Sequence, residues 1–266
     1  MPIPKIVHFL WMSENKDERT KRCLENWKTV LTDYEIKEWD SNSFPYRDFL
    51  WTKTAANEKK WAFVTDFFRL WVLEKYGGIY LDTDIILHKD FDAFLNDKFF
   101  IATEYTRQLG PHCIGSEPHH PFLRTCLEFY TDRKFEKNIL IPHIMTFMLV
   151  KQYNFKGSLA NFGNNPIRID DEISIYPDNI FTIDISDNKN VAVHLGFGSW
   201  RDSDDINPVY MDVLEMFFVK RFYLYSIHKK KFFKRIIFLL LPGIFVRMFY
   251  KHQLKTKNLV SVRKYL

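Results

Sequence analysis

The sequence predicts an α/β sandwich built on a mostly parallel sheet. Strand-like and helix-like segments alternate over most of the chain, which is what a sheet with crossover helices requires. The most apolar helical segment runs through a Gly-Gly pair straight into a hydrophobic strand. With 266 residues, 46% hydrophobic and 17% aromatic, the chain is long and apolar enough to bury a core.

The elements follow in order. PKIVHFLW (4–11) is β-branched and aromatic after a proline, a first strand. DERTKRCLENWKTV (17–30) sets Leu24, Trp27 and Val30 near helical spacing behind acidic residues, a helix. YEIKEW (34–39) is a second strand. NEKKWAFVTDFFRLWVLEK (57–75) has no Gly or Pro and is apolar nearly all round, so it predicts a buried helix that Tyr76, Gly77 and Gly78 terminate. IYLDTD (79–84), FFIATE (99–104) and HCIGS (112–116) read as strands, and HPFLRTCLEFY (120–130) as a helix. EISIYP and VAVHLGFGSW (191–200) return to strand character, and a further helix is expected to start near Asp205. No internal repeat or low-complexity segment is visible.

The net charge of +5 conceals a division. Residues 216–266 hold 13 Lys or Arg and no acid, leaving 25 bases against 33 acids in residues 1–215. The chain therefore reads as two parts, 1–215 and a basic, aromatic C-terminal extension, 216–266. The opening MPIPKIVHFLWMSENKDE has no basic start and meets acids early, unlike a signal peptide or anchor, which implies a cytoplasmic protein. The apolar stretch from Ile236 to Val246 is broken by Pro242 and Gly243 and is too short to span a bilayer as one helix. Cys23, Cys113 and Cys126 are odd in number and lack ligand-like spacing, which points to buried free thiols.

The chemistry concentrates in GGIYLDTDIIL (77–87). Strand alternation would put Tyr80, Asp82 and Asp84 on one face. Two carboxylates at the carboxyl end of a sheet strand form a hard-oxygen site for Mn²⁺ or Mg²⁺, where open α/β folds bind ligands. A DxD alone also describes an ordinary solvated turn; the hydrophobic strand and Gly-Gly ahead of it favour the metal. An EF-hand starting at Asp82 would need Gly and Glu where Leu87 and Ala93 stand, which excludes it. A phosphatase of the haloacid dehalogenase type also places DxD after an apolar strand, with Asp82 as nucleophile, but no downstream Lys and acidic pair stand out.

Three further positions join this motif. Asp66 and Arg69, three apart on the apolar helix, are its only charges between Lys60 and Glu74. They read either as a buried ion pair or as polar groups facing the metal. His194, before Gly196, Gly198, Ser199 and Trp200, is either a core histidine or the completion of a metal shell under a glycine-hinged loop. Trp11 is either core or a surface on which a nucleobase stacks.

Together, PKIVHFLW, AFVTDFFRLWVLEKYGGIYLDTDI, HHPF (119–122) and HLGFGSW resemble the DXD-containing sugar transferases of glycosyltransferase family 32. That group includes yeast-type initiating mannosyltransferases, bacterial capsule and lipopolysaccharide transferases and, distantly, the glucosylating domains of clostridial toxins. The resemblance covers roughly residues 3–200. It implies a GT-A fold, a nucleotide-sugar donor (a UDP-sugar before GDP-mannose), a divalent metal and retention of anomeric configuration. On this resemblance Asp82 and Asp84 would serve the metal and donor, and Asp66 and Arg69 the donor sugar. Tyr80 would lie beside the nucleotide, Trp11 would stack on the base, and Ser199 and Trp200 would close on the diphosphate. His194 as a ligand is an addition from this sequence.

The resemblance also implies a role in bacterial surface polysaccharide synthesis, with a glycan acceptor, lipid-linked, at the inner face of the plasma membrane. Residues 229–255, KKKFFKRIIFLLLPGIFVRMFYKHQLK, suit an anionic lipid surface, or alternatively pack on the catalytic domain. No nucleic-acid module is recognisable. A non-catalytic sugar-nucleotide-binding protein with the same fold is the remaining alternative.

Overall fold

A computed structural model describes residues 2–104, 108–156, 159, 165–182 and 190–196, together with Phe245 and Met248. The first half runs β1 (Ile6–Leu10), α1 (Glu18–Val30), β2 (Glu35–Trp39), α2 (Leu50–Asn57), α3 (Trp61–Tyr76), β3 (Gly78–Leu81) and β4 (Ile85–Leu87). It continues with β5 (Phe99–Glu104), β6 (Gln108–Ser116), α4 (Pro121–Glu128), α5 (Ile141–Tyr153), β7 (Ile167–Ile169), β8 (Ile173–Tyr176), α6 (Asp178–Phe181) and β9 (Ala192–His194).

The main sheet has the order β2-β1-β3-β6-β5-β8-β7. β1 is parallel to β2 and β3, and β5 to β8, while β6 opposes β3 and β5, and β7 opposes β8. The sheet is mixed and mostly parallel, as the sequence predicts. β4 and β9 form a separate antiparallel pair.

Strand alternation divides the core into two layers. Ile79, Leu81, Phe100 and Cys113 face one cluster with Val7, Phe9 and Trp27, while Tyr80, Ile101 and Ile114 face the other with Phe63, Phe67, Phe68 and Trp51. α1 starts at Asp17, whose side chain accepts the Thr20 N–H at 2.7 Å, and its Trp27 Nε1 donates to the Ile85 carbonyl at 2.9 Å. The three cysteines are free and buried.

Two boundaries differ from expectation. The helix predicted from residue 57 begins at Trp61, because Asn57 closes α2 and Lys59 adopts φ 57°. The resulting corner is held by Lys60 N–H on the Ala55 carbonyl and Trp51 Nε1 on the Phe63 carbonyl. The strand predicted over 79–84 stops at Leu81. The chain then turns through Asp82, Thr83 and Asp84 and leaves the main sheet to pair β4 with β9. Among the described residues no helix is long and apolar enough to cross a membrane.

The Gly77-Gly78 pair sets where β3 begins. Gly77 caps α3 at φ 65°, and Gly78 sits at φ 94°. A Cβ on Gly78 would lie 2.5 Å from the Ile6 carbonyl oxygen, inside the β1–β3 contact. Strain and overlap together predict that Gly78→Ala lowers stability by about 2–3 kcal/mol, read as a shift in urea midpoint.

His8 is buried beside the same corner. Trp39 Nε1 donates to its Nδ1 at 3.2 Å, so the neutral ring carries its proton on Nε2, which donates to the Gly77 carbonyl at 3.0 Å. Burial lowers its pKa from 6.5 to about 4, against the pull of that carbonyl and with help from Lys37. A depressed folded-state pKa contributes stability above pH 6.5 that is lost as pH falls through about 4. The expected loss is about 3 kcal/mol on acidification, absent in His8→Gln, measured as the difference in urea midpoints between the two proteins.

Candidate active site

β1, β3 and β5 point the same way, and their carboxyl ends carry Trp11, Asp82 and Glu104. β6 opposes them, and its register with β3 pairs Leu81 with Cys113. Its amino-terminal half, with His112, therefore reaches the same edge, and Asp82 N–H donates to the His112 carbonyl at 2.9 Å.

Behind this edge α3 presents Arg69, with a side chain only 7% exposed. Its Nη2 meets Asp66 Oδ1 at 2.9 Å, one turn away. Nη1 and Nη2 also meet Asp82 Oδ2 and Oδ1 at 3.4 and 3.3 Å. Nη1 further donates to the Pro111 carbonyl at 2.8 Å, and the guanidinium lies 4.7 Å from the Tyr80 ring centroid. Tyr80 Oη donates to Asp82 Oδ1 at 2.5 Å, so Tyr80 and Asp82 share a face as alternation predicts. Asp66 and Arg69 thus form a buried ion pair, and Arg69 also reaches the DxD aspartate Asp82.

Asp84 faces a different partner. Its Oδ1 lies 3.3 Å from His194 Nε2, and its carbonyl accepts Leu195 N–H at 2.9 Å across the β4–β9 ladder. Although Asp82 and Asp84 occupy a turn, their side chains converge. One ligand atom each from Asp82, Asp84 and His194 lie within 4.8 Å of one another. A second set, Glu104, His112 and His194, meets the same condition. The His112 and His194 rings stack at 4.4 Å with planes 12° apart.

The electrostatics follow from burial and pairing. Burial raises Asp66 to about 7, with Arg69 pulling down and Asp82 pushing up. Burial also raises Asp82 and Glu104, each partly offset, Asp82 by Arg69 and Glu104 by His194. For His194, burial opposes the charge but Asp84 prevails, raising it to about 9. His112 is lowered by burial and by His194. Four carboxylates, Asp66, Asp82, Asp84 and Glu104, thus meet two cationic groups, Arg69 and His194, in one corner. Two carboxylate oxygens with an imidazole are a donor set that suits a hard or borderline divalent cation, so these residues fit the metal the sequence implies.

Trp11 sits just past β1, its N–H on the Trp39 carbonyl at 2.8 Å. Its indole Nε1 is buried without a hydrogen-bond partner among the described residues. Ser199 and Trp200 lie outside the described residues, as does the organisation of the extension from 216. Glu104, His112 and Thr182 were not singled out from sequence. Glu104 could have been found as the acidic end of FFIATE; His112 gave no signal, because the direction of its strand is not written in the sequence.

At the carboxyl edge of the α/β sheet the DxD turn is thus backed by the Asp66–Arg69 pair. Residues 17–101 match the family described as glycosyltransferase sugar-binding region containing DXD motif, and so carry such a region. The match includes Asp66, Arg69, Asp82 and Asp84 and excludes Trp11, Glu104, His112 and His194. The chain is similar to inositol phosphoceramide mannosyltransferase 3 of Schizosaccharomyces pombe, 28% identical over 125 residues, 46% of this chain and 35% of the relative. It is 35% identical over 101 residues to human alpha-1,4-N-acetylglucosaminyltransferase, 36% of this chain and 28% of that one. Among solved structures, PaToxG glycosyltransferase aligns with TM-score 0.47 at 22% identity, over 57% of this chain and 70% of that chain. The chain spans about a third of the length of these two curated relatives.

Proposed function

We propose that this chain is a metal-dependent, retaining glycosyltransferase of GT-A architecture and family 32 type that moves one sugar from a nucleoside diphosphate to a glycan acceptor. The observation that carries the reading is the convergence of Asp82, Asp84 and His194 within 4.8 Å, beside the Arg69–Asp66 pair, at the carboxyl edge of the sheet.

Asp82, Asp84 and His194 would hold Mn²⁺ or Mg²⁺, which when bound supplies Lewis-acid neutralisation of a departing diphosphate. Arg69 fixes Asp66 and Asp82 from behind, so both carboxylates are oriented before a donor arrives. Asp66 faces the developing positive charge of the anomeric carbon and accepts a sugar hydroxyl. The Trp11 ring, which packs partly buried against the core, offers its remaining face to a nucleobase. The resemblance of the motifs assigns Ser199 and Trp200 to the diphosphate.

Asp66 and Asp82 are paired with Arg69, Asp84 with His194, and Glu104 accepts from Gln108 Nε2 at 3.1 Å, so these four carboxylates already have partners. This favours a front-face displacement. The acceptor oxygen attacks the anomeric carbon from the side the diphosphate leaves, the new glycosidic bond forms as the sugar–phosphate bond breaks, and the acceptor's proton passes to the departing phosphate oxygen. Trapping a covalent glycosyl-enzyme would overturn this route.

The donor is a UDP-sugar, and GDP-mannose is the competitor because a relative bears the name of a mannosyltransferase. The acceptor is a lipid-linked glycan of a bacterial surface polysaccharide. The catalytic unit is 1–215, and the basic extension, through residues 229–255, seats it on the anionic inner face of the plasma membrane. The supports are the resemblance of the motifs and the 13 Lys or Arg without an acid in 216–266.

The test is slow donor hydrolysis by the full chain across a panel of UDP- and GDP-sugars, with Mn²⁺ and with EDTA. Release of one nucleoside diphosphate only with metal establishes the reading and names the donor. No turnover and no metal-dependent nucleotide binding with any donor would sink it.

A further inference from the structure

His194 supplies the metal shell's nitrogen, yet it comes from β9, a three-residue strand outside the main sheet. Something must hold its ring against Asp84. A second metal between Glu104, His112 and His194 is not that device. Lone pairs of two imidazoles lie in their ring planes, and planes 12° apart stacked at 4.4 Å do not meet at a shared ion.

The surrounding bonds point elsewhere. Thr182, at the end of α6, engages both rings' residues. Its carbonyl accepts His194 N–H at 2.9 Å, and its Oγ1 lies 3.0 Å from His112 Nε2. Thr182 Oγ1 itself donates to the Thr103 carbonyl at 3.3 Å, so it accepts the proton of His112 Nε2. His112 is 2% exposed and Thr182 1%. The His112 carbonyl in turn accepts Asp82 N–H, and Leu195 N–H, next to His194, reaches the Asp84 carbonyl. One buried belt therefore ties Asp82, Asp84 and His194 together through Thr182 and His112.

We propose that His112 and Thr182 are positioning residues for the metal ligands: His112, pinned by the Thr182 hydroxyl, fixes the plane of the His194 ring so that Nε2 stays aimed at the ion beside Asp84. The inference rests on the metal-site reading above. Partners behind a metal ligand typically contribute 10–100-fold in affinity.

The test is Mn²⁺ binding to the full chain, followed by the electron paramagnetic resonance signal of free ion. Thr182→Val keeps the shape and removes the acceptor; Thr182→Ser keeps the hydroxyl. The expected result is about 10–100-fold weaker Mn²⁺ binding in Thr182→Val and in His112→Phe, with Thr182→Ser within about twofold of wild type. Urea midpoints of all variants identify any that fail to fold, and the Val/Ser contrast carries the result if His112→Phe does. Equal affinity in Thr182→Val and wild type overturns the positioning role while leaving the metal site standing. Wild-type protein whose Mn²⁺ binding is absent, or unchanged by Asp84→Ala, overturns both.

Discussion

Arg69→Ala is expected to lower stability by about 3–5 kcal/mol and to abolish donor turnover, because it strips the shared cation from two carboxylates that stay buried. The Asp66 and Asp82 side chains are only 15% and 24% exposed, and the Pro111 carbonyl would lose its donor as well. Against a typical total of about 5–15 kcal/mol, that loss leaves a marginal fold. The sign with pH is a second check. The Asp66 carboxyl, raised by burial to about 7, binds more protons folded than unfolded, so its contribution to stability shrinks as pH rises from 3.8 through about 7. Removing Arg69 raises it further, so the variant's deficit grows from pH 5 to pH 8. Arg69→Lys keeps the charge but lacks the fork that reaches Asp66, Asp82 and Pro111 together, and falls between the two. Urea midpoints in EDTA measure the stabilities, and nucleoside diphosphate release with Mn²⁺ measures turnover. A deficit under about 1 kcal/mol, typical of an exposed ion pair, would mean the pair is solvated and organises nothing.

Much of this site was legible because it lies on one local stretch. An apolar helix with only Asp66 and Arg69 charged, a glycine stop, and a hydrophobic strand ending in DxD place the groups by backbone geometry alone. The gist of the alternation survived for Tyr80 and Asp82. It failed for Asp84, since the strand ends at Leu81 and a turn brings Asp84 to His194. That convergence depends on β4 pairing β9 across more than a hundred residues, a choice made by tertiary packing. α5 went unread for a related reason: IPHIMTFMLVKQY is apolar on several faces and shows no clear helical stripe. His112 needed the direction of β6, which opposes its neighbours and so delivers its amino-terminal half to the edge that carries Asp82.

Asp84→Asn should separate metal binding from folding more cleanly than any other change. Asparagine keeps the size and can still accept a hydrogen bond from His194, so the fold should stay intact, while removal of the charge should weaken Mn²⁺ binding by about 100-fold or more and turnover by about 10²–10³-fold. The pH dependence adds a sign that a nonspecific effect would not reproduce. In the metal-free protein Asp84 outweighs burial and raises His194 to about 9, so their pairing contributes stability that is complete below pH 6.5 and is lost as pH rises through about 9. Asp84→Asn removes that slope. A ligand must also give up its proton to bind, so Mn²⁺ affinity in wild type should rise about tenfold per pH unit between pH 6 and 8, with about one proton released per ion. Calorimetry in buffers of different ionisation enthalpy counts that proton. Affinity that stays flat over this range, with no proton released, would remove His194 from the ligand set and leave Asp82 and Asp84 to hold the ion with the donor's own phosphates.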